Sequence, residues 1–172
     1  ITAVCFLFSG IILFIFALKN KYEILEILIL TLCFLLLLLM ISFLFSLFFG
    51  ISTGIESLFV KDDINAIKTS VPGVPAVPTM LCFILIGLAG LFYLGNNNNN
   101  NNNNPIRPFY ILGILIALIG GIALLGYGFN VSQLYYLFPG FTAMAFPTAL
   151  LFVLIGISLI LVGKENKMEK IE

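Results

Sequence analysis

Long apolar stretches separated by short polar segments set the pattern of this chain. Five stretches reach or approach the roughly 20 residues that cross about 30 Å of hydrocarbon as an α-helix. They cover residues 1–18, 24–49, 77–94, 108–125 and 144–162. Each must be helical, because an isolated strand in lipid would leave its backbone N–H and C=O groups without partners. The pattern therefore predicts an all-α membrane protein, a bundle of five transmembrane helices.

The basic residues lie mostly on one side of the predicted bundle. Six of the eight flank the spans on the side that holds the C-terminus, namely Lys19, Lys21, Arg107, Lys164, Lys167 and Lys170. The opposite side holds Lys61 and Lys68, in the long connection after the second span. Because cytoplasmic loops carry the excess of Lys and Arg, we expect the N-terminus outside and the C-terminus in the cytoplasm.

Self-comparison reveals an internal repeat. Residues 78–87 read PTMLCFILIG and residues 147–156 read PTALLFVLIG, with Pro, Thr, Leu, Phe, Leu, Ile and Gly in register. The opening residues of the chain match the same positions a third time, at Thr2, Cys5, Phe6 and Gly10. Residues 50–59 and 126–135 are also related, since both end in apolar, two polar, Leu and aromatic residues. The bundle is therefore predicted to consist of repeated helical hairpins in one membrane orientation.

The repeated segment begins with residues that suit a helix start. Pro in the first turn loses no hydrogen bond, and Thr beside it can satisfy a neighbouring amide. The Thr, Phe and Gly that follow are spaced by four, so they share one helix face, and Gly lets a second helix approach closely. We predict that this face packs inward, as a packing stripe rather than a ligand site. Its residues are Thr2, Phe6, Gly10, Pro78, Thr79, Phe83, Gly87, Pro147, Thr148, Phe152 and Gly156.

Composition removes most kinds of chemistry. Hydrophobic residues make up 61% of the chain, charged residues 9%, and the formal net charge is zero, which excludes a water-soluble enzyme and disfavours nucleic-acid binding. The chain has no His, so a His-ligated metal, a His-held haem and a Ser/His/Asp triad cannot form. Cys5, Cys33 and Cys82 sit in apolar runs and are expected to act as small hydrophobes. We expect no catalytic, cofactor-binding or metal-binding residue.

Three segments outside the spans have distinct predictions. The outer loops carry an apolar and aromatic patch, which either anchors the protein at the headgroup level or caps a shallow cavity for a hydrophobic ligand or lipid. Its residues are Leu58, Phe59, Leu134, Tyr135 and Tyr136. The nine Asn residues at 96–104 are predicted to be a disordered loop, since they cannot bury apolar area. Residues 164–172 are predicted to begin a cytoplasmic linker helix.

The stretch 142–156, which reads TAMAFPTALLFVLIG, resembles a known class of protein. It is similar to the multi-pass N-terminal membrane sensor regions of bacterial and archaeal sensor histidine kinases and diguanylate cyclases. The preceding segments 125–127 and 134–135 are similar to that pattern as well. The resemblance implies that residues 1–163 form a sensor region in the plasma membrane of a prokaryote. In such proteins the last span leads into an output domain, so we expect this chain to be a fragment of a longer parent protein that forms a homodimer.

Two classes of function follow as leading hypotheses. The first is a membrane-embedded sensory input module that passes a stimulus through its last helix to a cytoplasmic output domain. The second is a transporter or channel fragment made of repeated hairpins, which requires a continuous polar pathway between the helices. An integral-membrane enzyme ranks last, because no acid, imidazole or thiolate constellation is present.

Overall fold

The computed structural model describes residues 1–18, 23–50, 74–98, 106–136 and 142–168. These ranges form helices and short connections and contain no β-strand, which confirms the all-α class. The helices are α1 (Thr2–Leu18), α2 (Glu23–Phe49), α3 (Val77–Asn98), α4 (Ile106–Gly128), α5 (Gln133–Tyr136) and α6 (Phe146–Met168).

Four helices are long and apolar enough to cross a membrane. The candidate spans are Glu23–Phe49, Val77–Gly95, Pro108–Gly128 and Phe146–Lys164. The helix α1 is also apolar but has 17 residues and is the shortest of the long helices. Large apolar side chains cover the outside of the described helices, including Ile24 at 78% exposure and Phe48 at 79%. Such a surface requires lipid rather than water around it, so the protein is an integral, multi-pass membrane protein.

Several helix boundaries differ from the predicted ones. The helix α3 continues through Asn98, so the first three residues of the Asn run are helical instead of disordered. Once a helix has formed, each further residue that joins it adds one backbone hydrogen bond. This propagation extends α3 beyond Gly95. Residues 99–104 lie outside the described residues. The last helix begins at Phe146 rather than 144 and runs to Met168, beyond the predicted span end at 162. The short helix α5 is absent from the sequence prediction.

The two Pro-Thr segments start their helices in the same way. Pro78 and Pro147 are each the second residue of a helix, where the missing N–H removes no intrahelical bond. The first helical hydrogen bonds are matched as well. The amide of Met80 donates to Ala76 and that of Ala149 donates to Ala145, both at 3.0 Å. The local chain conformation is therefore the same at both repeated positions.

Contacts between helices fix their relative directions. On α1 and α3, Phe6 contacts Phe83 and Phe16 contacts Tyr93, so the two helices run parallel. The glycines of α3 face α2 in reversed order, since Gly87 lies against Leu37 and Gly90 against Cys33, so α2 is antiparallel to α3. Helices α4 and α6 are also antiparallel, because Gly113 lies against Gly156 whereas Gly120, further along α4, lies against the earlier residue Ala149.

Three helices lie at the centre of the bundle, and two others pack on the outside of them. Helix α1 contacts α3 and α6, and α3 meets α6 through Phe83 and Phe152. Helix α2 packs mainly on α3, and α4 packs mainly on α6. Each outer helix also contacts the helix that precedes it in the chain, since α2 touches α1 and α4 touches α3. The short α5 lies against the end of α4. This layout brings equivalent positions of the sequence repeat to the middle of the molecule.

Candidate functional site

Three phenylalanine rings meet where α1, α3 and α6 converge. Phe6, Phe83 and Phe152, here called the aromatic triad, have centroid separations of 4.9, 4.9 and 5.1 Å. Phe83 and Phe152 are fully buried, and Phe6 is partly buried. The rings of Phe6–Phe83 and Phe83–Phe152 are close to edge-on, which is the favoured arrangement of aromatic pairs. These three residues occupy the same position in the three copies of the repeat.

A second aromatic group lies further along the same helices. Phe16 stacks on Tyr93 at 4.5 Å, and both rings present an edge to Phe109 of α4 at 5.8 and 6.3 Å. Phe16, Tyr93 and Phe109 lie outside the predicted packing face, although the spacing of the first two carries a signal. Phe16 follows Phe6 by ten residues, and Tyr93 follows Phe83 by ten, so the same spacing recurs in two of the three predicted copies, whereas Val162 follows Phe152.

Small residues bring α4 and α6 to backbone contact. A Cβ built on Gly156 would lie 2.6 Å from the carbonyl oxygen of Gly113 and 2.7 Å from the amide nitrogen of Ala117. Further along, a Cβ on Gly120 would lie 2.7 Å from the carbonyl oxygen of Ala149. Real Cβ atoms do not approach backbone atoms this closely, so only glycine fits at Gly156 and Gly120. We call this contact the α4–α6 seam.

The three repeat glycines have different surroundings. Gly156 lies in the α4–α6 seam, and Gly87 is buried against the side chain of Leu37 on α2. Gly10 is exposed, with nothing within 4 Å of an added Cβ. At Gly10 the expectation that this face packs inward stays a prediction, because no described helix covers that side of α1. Gly87 and Gly156 face the outer helices α2 and α4 and not the aromatic triad, since a spacing of four residues drifts around a helix of 3.6 residues per turn.

The Thr and Pro residues of the motif also differ from copy to copy. Thr79 is 2% exposed, whereas Thr2 and Thr148 are partly buried. Pro78 is buried, and Pro147 is exposed. The motif on α3 is thus the most enclosed, because α3 contacts both α2, which precedes it in the chain, and α4, which follows it.

A cluster of aromatic side chains ties α4, α5 and the start of α6 together. Tyr127 stacks on Tyr135 with centroids 4.4 Å apart, and Phe146 presents an edge to Tyr127 at 5.8 Å. The hydroxyl of Tyr127 donates to the carbonyl of Met144 at 2.7 Å, and the amide of Met144 donates to the carbonyl of Tyr135 at 3.0 Å. We call Tyr127, Tyr135, Tyr136 and Phe146 the tyrosine cluster.

The turn before the tyrosine cluster is shaped by Asn130. This residue has a φ of 56°, and the amide of Val131 donates to the carbonyl of Gly126 at 2.9 Å. That bond spans six residues and ends α4 in a Schellman turn, with Asn in the left-handed position that Gly more often occupies. The turn sends the chain back over α4, where Leu134 and Tyr135 lie against Gly126.

The predicted ligand patch is only partly within the described residues. Leu58 and Phe59 lie outside them. Leu134 is 38% exposed, and Tyr135 and Tyr136 are partly buried. Because Tyr135 packs on Tyr127, its ring forms part of the tyrosine cluster instead of an open surface.

Hydroxyl groups along the helices bond within their own helix. Ser9, Thr31 and Ser158 each donate to the carbonyl four residues earlier at 2.8 Å, and Ser42 donates to Leu39 at 2.8 Å. Within the described ranges no group of three or more His, Cys, Asp or Glu residues could hold a metal ion. The cysteines Cys5, Cys33 and Cys82 are buried free thiols. The contacts made by the described side chains are mainly apolar packing and aromatic contacts.

No protein-family model matches this chain, and neither a curated protein nor a solved structure matches it.

Proposed function

We propose that this protein is the membrane-embedded sensory input module of a signal-transduction receptor. In this proposal α1–α4 and α6 cross the plasma membrane of a prokaryote as repeated hairpins, with the N-terminus outside and the C-terminus in the cytoplasm. A stimulus at the outer end shifts α6, and α6 passes the shift to an output domain of a dimeric parent protein, such as a histidine kinase or a diguanylate cyclase.

The observation that carries this proposal is the set of contacts made by α6. Phe146, the first residue of the helix, belongs to the tyrosine cluster, and Phe152 belongs to the aromatic triad. The helix then continues to Met168 without a break. Its last residues lie beyond the candidate span, which ends at Lys164. An unbroken helix is stiff along its axis, so a displacement at Phe146 reaches Met168.

The α4–α6 seam supports a sliding motion. Gly113, Gly120 and Gly156 bring the two backbones into direct contact, and the side chains of Val153 and Ile160 lie against the glycines of α4. Helix shifts of about 1–2 Å at packed interfaces are an established form of switching motion in proteins. The hydrogen bond from Tyr127 to Met144 links the end of α4 to the residue two before α6, so a ligand that disturbs the tyrosine cluster also disturbs the start of α6.

A transporter or channel is the alternative function. It needs a polar pathway, whereas the aromatic triad fills the region where α1, α3 and α6 meet. Four of the hydroxyls in the described helices are already engaged with carbonyls of their own helix. Flux of ions and small solutes into protein-containing liposomes tests this alternative, and flux above that of empty liposomes would support it over the sensory proposal.

A fusion protein tests the sensory proposal directly. The full chain is joined after Glu172, in continuous helical register, to the cytoplasmic part of a dimeric sensor histidine kinase, and autophosphorylation is measured in vesicles. Gly156→Leu should displace α6 from α4 and change the rate about fivefold or more, the lower end of common coupling between sites. Tyr127→Phe should change it in a fold that stays intact, because only one hydrogen bond is lost.

Gly121→Leu is the matched control for this fusion. Gly121 lies on the same helix as Gly113 and Gly120, yet nothing lies within 4 Å of an added Cβ. Kinase activity should therefore equal that of the unmodified fusion. Equal activity in all four proteins would contradict a role of α6 in passing the signal.

A further inference from the structure

The exposed side of α4 is an apolar stripe that continues past the end of the helix. Its residues are spaced alternately by four and three and are between 42% and 74% exposed, and they are Ile111, Leu115, Leu118, Ile122, Leu125 and Phe129. Helix α4 ends at Gly128, but the amide of Phe129 still donates to the carbonyl of Leu125 at 2.9 Å, so Phe129 keeps the helical register. The stripe faces lipid along the candidate span Pro108–Gly128, and Phe129 extends it beyond the span.

The chain beyond Phe129 turns back to the level of the span. After the left-handed residue Asn130, the chain brings Leu134 and Tyr135 against Gly126. Gly126 is two residues before the end of the candidate span, which is about 3 Å along the helix axis. The short helix α5 therefore lies beside the last turn of α4 and does not project away from it.

The start of α6 gives the same level independently. Phe146 is the first residue of the candidate span Phe146–Lys164, and its ring presents an edge to Tyr127 at 5.8 Å. Tyr127 in turn stacks on Tyr135 of α5, with centroids 4.4 Å apart. The ends of two spans and the helix α5 therefore share one level, which in a membrane is the boundary between the acyl chains and the headgroups.

The turn between α4 and α5 combines exposed apolar and exposed polar side chains. The apolar ones are 74%, 40% and 38% exposed, and they are Phe129, Val131 and Leu134, here called the apolar turn residues. The polar ones are also exposed, and they are Asn130, Ser132 and Gln133. Residues 126–136 contain no charged side chain. Such a mixture suits the membrane interface, where one part of a segment meets acyl chains and the other meets water.

We propose that the turn at residues 129–134 is inserted into the lipid interface and anchors this end of α4. The apolar turn residues lie among the upper carbons of the acyl chains, and the polar residues between them lie at the headgroups. Lipid is the occupant for two reasons. Phe129 continues a stripe that faces lipid along the span, and the turn lies level with the ends of two spans.

The charge of the turn indicates which lipid it fits. A segment without Lys or Arg does not attract anionic headgroups, so a bilayer of neutral phosphatidylcholine is sufficient for insertion. The turn shares Leu134 with the predicted outer-loop patch, whereas Tyr135 packs on Tyr127. The inference rests on the proposed crossing of the membrane by α4 and α6, and it holds whatever the signal or output domain is.

Tryptophan fluorescence of the full chain measures the depth of the turn, since the chain has no tryptophan of its own. Phe129→Trp is compared with Leu118→Trp, at the middle of the same span, in phosphatidylcholine vesicles brominated near the ester end or near the methyl end of the acyl chains. Shallow bromines are expected to quench Phe129→Trp about twofold more than Leu118→Trp, and deep bromines should give the opposite order. Quenching of Leu118→Trp without quenching of Phe129→Trp would refute insertion of the turn alone. Absence of quenching in both would refute the crossing and the insertion together.

Thiol labelling tests the turn without an aromatic reporter. Phe129→Cys and Ser132→Cys replace exposed side chains of the same turn, and the three native cysteines are buried. Maleimide reacts with the thiolate, which an apolar environment disfavours, so in vesicles Phe129→Cys should react about tenfold more slowly than Ser132→Cys. Each rate is normalised to the rate after unfolding in sodium dodecyl sulfate. Equal normalised rates would place both side chains in water and overturn the proposal.

Discussion

At the scale of single residues, backbone contact makes Gly156 the most demanding position of the described chain. An added methyl group would meet the oxygen of Gly113 and the nitrogen of Ala117, and neither atom belongs to a side chain that can turn away. We expect Gly156→Ala to lower the free energy of unfolding by about 2 kcal/mol, within the range of overpacked cores. Unfolding with sodium dodecyl sulfate in mixed micelles measures this difference.

Gly121→Ala is the matched comparison, on the helix α4 but outside the α4–α6 seam. It lies on α4 with open space around it, so the same methyl group should change the free energy of unfolding by less than about 1 kcal/mol. Similar losses for Gly156→Ala and Gly121→Ala would mean that the α4–α6 seam is looser than described.

The aromatic triad predicts a second difference between residues of one type. Phe83 is fully buried against Phe6 and Phe152, whereas Phe92 on the same helix is 52% exposed. We expect Phe83→Ala to cost about 3 kcal/mol of unfolding free energy through lost packing and a residual cavity. Phe92→Ala should cost less than about 0.5 kcal/mol. The two variants are compared in the same detergent titration, and equal costs would contradict the central position of the triad.

Tyr127 combines a hydrogen bond and two ring contacts in one side chain. Tyr127→Phe removes only the donor to the Met144 carbonyl, which should cost about 1 kcal/mol. Tyr127→Leu also removes the contacts with Tyr135 and Phe146 and should cost about 2 kcal/mol. Thermal unfolding in nanodiscs of both variants separates the contributions. An undiminished stability in Tyr127→Leu would show that the tyrosine cluster does not hold α5 to α4.

At the scale of elements, the length of α2 makes its two ends accessible. Its 27 residues extend about 40 Å, more than the roughly 30 Å of hydrocarbon. We expect an impermeant maleimide to label Glu23→Cys from the cytoplasmic side and Gly50→Cys from the outer side. Labelling of both from one side would show that α2 does not cross the membrane.

The existence of each long helix was predictable, but the ends of the helices were not. Apolar length alone decides that a segment is a helix in lipid, because no other conformation satisfies its backbone. The ends depend on neighbouring residues and contacts. The helix α3 runs to Asn98 by propagation, and α5 forms because the left-handed Asn130 turns the chain back over Gly126. Neither effect appears in the hydropathy pattern.

At the scale of the whole molecule, the distribution of basic residues predicts the orientation. Lys164 is the last residue of the last candidate span, and Ser132 lies in the turn between α4 and α5 at the other end. Both side chains are exposed. We expect Ser132→Cys to be labelled only from outside the cell and Lys164→Cys only from the cytoplasm. The reverse pattern would invert the proposed direction of signalling.

The repeat anticipated part of the site. The positions of Phe6, Phe83 and Phe152 in a sequence alignment correspond to rings that touch in three dimensions. The predicted repeat could not show that Gly87 faces Leu37, that Gly156 faces Gly113, or that Gly10 faces none of the described helices. Which helix lies beside each glycine is a property of packing, since the three glycines belong to the same motif.

By itself, the sequence determined that this protein is a helical membrane protein. Its apolar segments are long enough to lie in lipid, where an isolated segment satisfies its backbone hydrogen bonds only as a helix. Only the tertiary structure decided which helices touch, because in lipid the choice depends on local shape and small residues rather than on hydrophobicity. That choice joined α4 to α6 through glycine and placed none of the described helices beside Gly10 of α1.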